Sequence, residues 1–144
     1  MPHTPMNVLL VEDDPTVLLG ACQALQLSDI PVQEATSVEV AVAMVAQACP
    51  AAILSDVRLP HEDGFDLLRR MQALDPEVPV ILMTGHGDIR MAVQAMRLGA
   101  YDFLEKPFSS ERLVEVMRRA LEKRKLVLEN RRLHALVEIG RAHV

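Results

Sequence analysis

Ala51-Ala52-Ile53-Leu54-Ser55-Asp56-Val57-Arg58-Leu59-Pro60 is an apolar run that ends abruptly in a carboxylate and then a proline. A short apolar run bounded by turn signals reads as a buried strand, which puts Asp56 at that strand's carboxyl end. Two other stretches have the same form. Val8-Leu9-Leu10-Val11 runs into Glu12-Asp13-Asp14, and Val80-Ile81-Leu82-Met83 runs into Thr84-Gly85. A further one, Tyr101-Asp102-Phe103-Leu104-Glu105, ends in Lys106-Pro107. In open α/β sheets, the edge formed by the strands' carboxyl ends is where ligands bind. An acid cluster, a lone aspartate, a hydroxyl and a lysine are therefore expected on one edge.

Working outward, strand-like runs near 7–11, 31–35, 51–56, 78–83 and 101–105 alternate with helical patterns near 15–27, 37–47, 63–73 and 87–98. A last helix opens near 110. This βα alternation predicts a doubly wound parallel sheet with helices on both faces. Punctuation agrees with the limits. Asp14-Pro15 caps and begins the first helix, and Thr36 or Ser37 caps the second. Asp75-Pro76 ends the third, Gly99 ends the fourth, and Ser109-Ser110-Glu111 opens the fifth.

The last helix meets no breaker before Gly140, which is too long for a helix that only covers a small sheet. Leu113, Val116, Met117, Ala120 and Leu121 suit packing on the domain. Beyond them Leu126, Asn130, Leu133 and Val137 recur at four, three and four residues, an a/d spacing with Asn at an a-like place. Such an Asn favours a parallel dimer in register; an amphipathic linker is the other reading of the same residues. The expected division is a domain over 1–122 and a helical linker over 123–144. Gly140-Arg141-Ala142-His143-Val144 carries no interpretable pattern.

Composition narrows the class. Of 144 residues 50% are hydrophobic but only 3% aromatic, so aliphatic side chains must fill the core. No stretch reaches the roughly 18 apolar residues that read as a membrane span, and Met1 to Met6 hold no signal-peptide core. A cytoplasmic protein is expected. Cys22 and Cys49 lack CxxC spacing and read as buried free thiols. Residues 1–110 carry 6 basic and 15 acidic side chains, net −9, whereas 111–144 carry 9 and 5, net +4. The acidic part is a poor DNA binder, because DNA binding relies on neutralising phosphates.

Glu12, Asp13 and Asp56 repel one another when brought to one edge. A hard divalent cation offsets that cost, and Mg²⁺ suits it, because it takes few carboxylates and leaves room for phosphate oxygens. Lys106 supplies a second positive charge and the Thr84 hydroxyl a hydrogen bond. An Asp nucleophile, a metal and two oxyanion stabilisers make a phosphoryl-accepting site.

Val11-Glu12-Asp13-Asp14, Ser55-Asp56-Val57-Arg58-Leu59-Pro60, Asp63-Gly64, Thr84-Gly85 and Lys106-Pro107-Phe108 together resemble the receiver domain of two-component response regulators, in order, over about residues 6–122. The resemblance implies a flavodoxin-like (βα)5 sheet of strand order 2-1-3-4-5. It implies phosphoryl transfer to Asp56 from a sensor histidine kinase, and Mg²⁺ held by Asp13, Asp56 and the Arg58 backbone carbonyl, with Glu12 acting through a metal-bound water. It also implies a cis Lys106-Pro107 bond, a non-enzyme phosphoacceptor that catalyses its own phosphorylation and dephosphorylation, and a switch coupling Thr84 to the aromatic three before the lysine. That aromatic is Phe103, not Tyr101, so coupling must work by packing without a phenolic hydroxyl. Arg58 and His86 flank the site where relatives vary in dephosphorylation rate.

Thr84-Gly85-His86-Gly87-Asp88-Ile89, Ala92-Val93-Gln94-Ala95-Met96, Gly99-Ala100-Tyr101-Asp102-Phe103 and the Glu122 to Arg131 stretch are similar to the receivers of sigma-54-dependent activators, the C4-dicarboxylate-transport response regulators in particular. There, a receiver and linker precede an ATPase and a helix-turn-helix domain. No GxxxxGK[ST] phosphate loop occurs here. DNA and RNA polymerase are then reached only through domains absent from this sequence, no membrane is involved, and the expected direct partner besides the kinase is a second copy through the last helix and linker. Two rivals remain. A haloacid-type phosphohydrolase would place a second Asp where Arg58 stands, and a degenerate receiver acting only as a dimerisation module would not need Asp13, Asp56, Thr84 and Lys106.

Overall fold

The computed structural model describes residues 6–142. The first residues read for a leader and the closing His143 and Val144 lie outside them. The elements alternate throughout: β1 (Val8–Val11), α1 (Pro15–Leu27), β2 (Val32–Ala35), α2 (Val38–Gln47), β3 (Ala52–Asp56), α3 (Gly64–Leu74), β4 (Val80–Thr84), α4 (Ile89–Arg97), β5 (Asp102–Glu105) and α5 (Ser110–Ala142). The strands form one parallel sheet in the order β2-β1-β3-β4-β5, the flavodoxin-like order. In register, Val8 lies beside Val32 on one side and Ala52 on the other, Ile53 beside Val80, and Ile81 beside Asp102.

Every residue of β1, β3 and β4 is buried. They are interior strands covered on both faces, which is why they read as continuous apolar runs rather than alternating ones. Edge strand β2 exposes Gln33 and Glu34, and charge on an edge discourages pairing with other chains. Side chains alternate across the sheet and divide the core in two. Leu9, Val11, Ile53 and Leu82 pack with Ala41 of α2, Leu68 of α3 and Ala95 of α4. Val8, Leu10, Leu54 and Met83 pack with Leu25 of α1 and with Leu113, Val116 and Met117 of α5. Burial of each such leucine contributes about 1.5–3 kcal/mol.

Local chemistry sets the ends. Asp14 accepts the Thr16 N–H at 2.9 Å to cap α1, and Ser37 takes the capping place at α2. Asp63 and Asp66 exchange backbone hydrogen bonds in a reciprocal box at the start of α3, and Ser109 Oγ accepts the Arg112 N–H at 3.0 Å to open α5. Gly99, with φ +98°, follows the C-cap Leu98 of α4, a left-handed place where glycine carries no Cβ penalty.

Three expectations change. Cys49 is exposed, not buried, because α2 ends at Gln47 and Cys49 falls in the turn before β3; both cysteines are free. The fourth strand begins at Val80, after Pro79, and includes Thr84 as its last residue. Helix α5 does not stop at Gly140 but continues to Ala142; one glycine costs a helix only about 1 kcal/mol relative to alanine. Among the described residues no helix is long and apolar enough to cross a membrane.

Candidate functional site

Four of the parallel strands bring functional side chains to one edge, β1 two of them and the others one each. Glu12 and Asp13 follow β1, Asp56 ends β3, Thr84 ends β4, and Lys106 follows β5. Backbone hydrogen bonds hold these ends in step: Glu12 N–H to Ala35 O at 3.0 Å, Val57 N–H to Met83 O at 3.1 Å and Lys106 N–H to Thr84 O at 2.8 Å. The Lys106-Pro107 bond is cis.

Glu12, Asp13 and Asp56 each place a carboxylate oxygen within 4.8 Å of the others. Glu12 and Asp56 are buried, whereas Asp13 is exposed. Lys106 Nζ donates to Asp56 Oδ2 at 2.7 Å and to Glu12 Oε2 at 3.1 Å. The other Asp56 oxygen accepts the Arg58 N–H at 3.2 Å, and Glu12 Oε1 accepts the Asp14 N–H at 3.0 Å. Burial and the Asp56 charge push the Glu12 carboxyl above its ordinary range, against the opposing pull of the Asp14 N–H and Lys106. Burial works against the Lys106 charge, but the hydrogen bonds to Asp56 and Glu12 outweigh it and raise its pKa. The lysine is therefore a fixed cation.

Donor chemistry suits a hard cation: three clustered carboxylates, with Asp13 exposed to solvent. Thr84 gives an independent sign of a missing partner. Its side chain is buried, with 1% of its surface exposed, and Oγ1 has no hydrogen-bond partner. A buried hydroxyl left unsatisfied costs about 1–3 kcal/mol, and such groups are rare enough to require an explanation.

Phe103 pairs in register with Leu82, two residues before Thr84, so Phe103 and Thr84 share the sheet face that α4 covers. Half-buried, Phe103 lines a groove with Ala92, Val93 and Met96 of α4. Tyr101 packs instead beside the α5 cluster, with Lys123 Nζ 5.3 Å from its ring centre. The Arg58 guanidinium is largely exposed, 3.9 Å from Asp88, and His86 Nδ1 lies 3.0 Å from Glu105.

Gly64 has a role that reasoning from the sequence missed. A Cβ there would fall 2.4 Å from the Asp56 carbonyl oxygen, while the Gly64 N–H donates to Val57 O at 2.8 Å. Absence of a side chain lets α3 begin directly against the backbone of Asp56. Asp63-Gly64 stood out as a motif, but only the fold reveals that its purpose is close approach.

The family described as "Response regulator receiver domain" matches residues 8–118. The chain is 47% identical over 138 residues to the C4-dicarboxylate transport transcriptional regulatory protein DctD of Pseudomonas aeruginosa, a match covering 95% of this chain and 30% of that protein. It is 46% identical over 132 residues to the protein of the same name from Rhizobium meliloti, covering 92% and 29%. The chain thus spans under a third of those relatives' length. Among solved structures, the receiver domain of NtrX from Brucella abortus superposes with a TM-score of 0.77 at 36% identity, over 81% of this chain and 98% of that one. A response regulator receiver domain protein from Clostridium thermocellum gives 0.79 at 28% identity, over 84% and 98%.

Proposed function

We propose, from the premise that this chain belongs to the response regulator receiver domain family of phosphoacceptor regulatory domains, that Asp56 is its phosphoacceptor. The supporting observation is the meeting at one sheet edge of Asp56, a lysine bonded to it at 2.7 Å, and a buried threonine hydroxyl without a partner.

The donor is a phosphohistidine on a sensor kinase, the kind of partner with which receiver domains work. An Asp56 carboxylate oxygen attacks phosphorus and forms an O–P bond as the donor's N–P bond breaks. The electron pair stays on the imidazole, which takes up a proton from solvent. Asp56 is held ready by the Arg58 N–H and Lys106, so little reorientation is needed. Lys106 neutralises charge on one side of the incoming group, and the Thr84 hydroxyl donates to another phosphoryl oxygen. Asp13, Asp56 and the Arg58 carbonyl would hold Mg²⁺, with Glu12 reaching it through water. When bound, the ion offsets charge on the transferring oxygens. Water attack on phosphorus later breaks the Asp56 O–P bond, releasing inorganic phosphate and returning the Asp56 carboxylate, a self-catalysed loss that makes the mark temporary.

Thr84 gains its missing acceptor when phosphoryl is present. Its movement opens space on the face shared with Phe103, and the ring turns inward and alters the surface of α4 and α5. The readout is a change in dimerisation through α5 and its linker. By analogy with the transcriptional regulatory relatives, dimerisation would govern a sigma-54-activating ATPase and a DNA-binding region outside these 144 residues.

Incubation with acetyl phosphate and Mg²⁺, followed by intact mass spectrometry, tests the acceptor. One added phosphoryl group is expected in the native chain and none in Asp56→Asn. Uptake that persists in the variant, or none in either, overturns the assignment.

A further inference from the structure

Helix α5 leaves the sheet behind yet stays attached to the domain at a second place, far from the phosphoacceptor edge. Asp75, the C-cap of α3, is the anchor. Arg131 donates to both of its oxygens, Nη1 to Oδ2 at 3.0 Å and Nη2 to Oδ1 at 2.9 Å, and Nη2 also reaches Glu77 at 3.1 Å. Arg124 Nη2 joins at 3.0 Å. Arg124 is 5% exposed, and its Nε and Nη1 are buried without partners. Asp75 is therefore the only acceptor Arg124 has among the described residues.

The helical period turns this into a statement about direction. Arg124, Leu128 and Arg131 recur at four and three residues and share one stripe, with Val127 beside them; Val127 and Leu128 are half-buried. At about 3.6 residues per turn, Leu126, Leu133 and Val137 fall on the opposite side. They are 57%, 60% and 50% exposed; Leu136 and Ile139 are exposed as well, so the a/d spacing rather than the exposure marks the stripe. One stripe is bolted to the α3–β4 loop and the other faces away from the domain.

We propose that Asp75 is a positioning residue for the linker: by holding Arg124 and Arg131 it fixes the rotational setting of α5 beyond the sheet, so that the stripe of Leu126, Leu133 and Val137 faces a second copy of this chain. The identity of that occupant rests on the linker-dimer reading above and on the a/d spacing with Asn130 in line; the rotational setting does not depend on it. A charge pair that engages both guanidinium and carboxylate edges gives geometry as well as attraction. The helix cannot rotate without leaving Arg124 buried and unpaired.

Hydrogen exchange by mass spectrometry on the full chain tests this, with Arg131→Ala, Arg131→Lys and Asp75→Asn beside wild type. Asp75 also accepts the Glu77 N–H, so Arg131→Ala is the cleaner variant: among the described residues the hydrogen bonds and ion pairs of Arg131 go to Asp75 and Glu77. Amides of 124–134 are expected to exchange at least about tenfold faster in Arg131→Ala, with β3 and β4 unchanged and Arg131→Lys retaining part of the protection. Unchanged protection over 124–134, or a loss spread equally through the sheet, overturns the clamp. Light scattering on the same samples with Mg²⁺ and beryllofluoride separates the two readings. A wild-type mass that never responds defeats the dimer switch, while the clamp still stands or falls on exchange.

Discussion

At Thr84 a single atom allows fold stability and the proposed phosphoryl recognition to be tested separately. Its hydroxyl is buried without a partner, so the unphosphorylated fold gains nothing from it. Thr84→Val is therefore expected to leave the unmodified domain as stable or up to about 1–3 kcal/mol more stable, read by urea unfolding. The same variant should lose most of the stabilisation that wild type gains from Mg²⁺ with beryllofluoride. Lys106 should behave oppositely. It bonds both Asp56 and Glu12, and Lys106→Ala leaves two buried carboxylates facing each other. Phosphoryl uptake from acetyl phosphate is expected to fall about 10²-fold, measured as an initial rate, and the apo domain should also lose stability. Asp56, Thr84 and Lys106 were legible in the sequence because each stands where an apolar run stops. Gly64 was not, since the carbonyl it approaches becomes a neighbour only when α3 docks.

At the level of elements, the two faces of the sheet depend on different helices. Leu113 and Met117 tie α5 to the face holding Leu10 and Leu54; Leu113→Ala is expected to cost about 2–5 kcal/mol in urea unfolding. The Asp75 attachment should respond to acid instead. Hydrogen bonding from Arg131, with Arg124 assisting, holds the Asp75 carboxyl well below the usual carboxylate range despite the opposing effect of burial. A depressed folded pKa means that the contribution is complete at neutral pH. It starts to fade near the ordinary Asp value of about 3.9 and is lost only when the pH passes below the depressed value. Protection of amides 124–134 should accordingly hold from pH 7 to about 5 once intrinsic exchange is corrected for. Loss within that window would contradict the assigned electrostatics. This clamp could not be read from the sequence, because Asp75 lies 49 and 56 residues from its arginines and ordinary helix-end chemistry already explains an Asp-Pro pair. Strand identity was legible because strands covered on both faces are apolar at every position. Element ends drifted where a turn intervened, as at Cys49 and Pro79.

The whole molecule is an acidic sheet domain with a basic helical extension, net −9 over residues 1–110 and +4 over 111–144. Light scattering with and without Mg²⁺ and beryllofluoride is expected to show a change in mass that Asp56→Ala abolishes, and its direction tells whether the linker dimer belongs to the resting or the signalling state. The order of strands adds a consequence for biosynthesis. Glu12 and Lys106 are 94 residues apart along the chain but 3.1 Å apart in space. As the polypeptide leaves the ribosome amino end first, the carboxylates emerge long before the lysine that neutralises them. Helix α5, which covers one face of the core, comes later still. A nascent chain thus presents its acids before the lysine that bridges them, so under the proposed function the acceptor site is incomplete until Lys106 has emerged. Because Lys106 follows β5, the last strand of the sheet, the proposed acceptor site is complete only in a chain that has already synthesised all five strands.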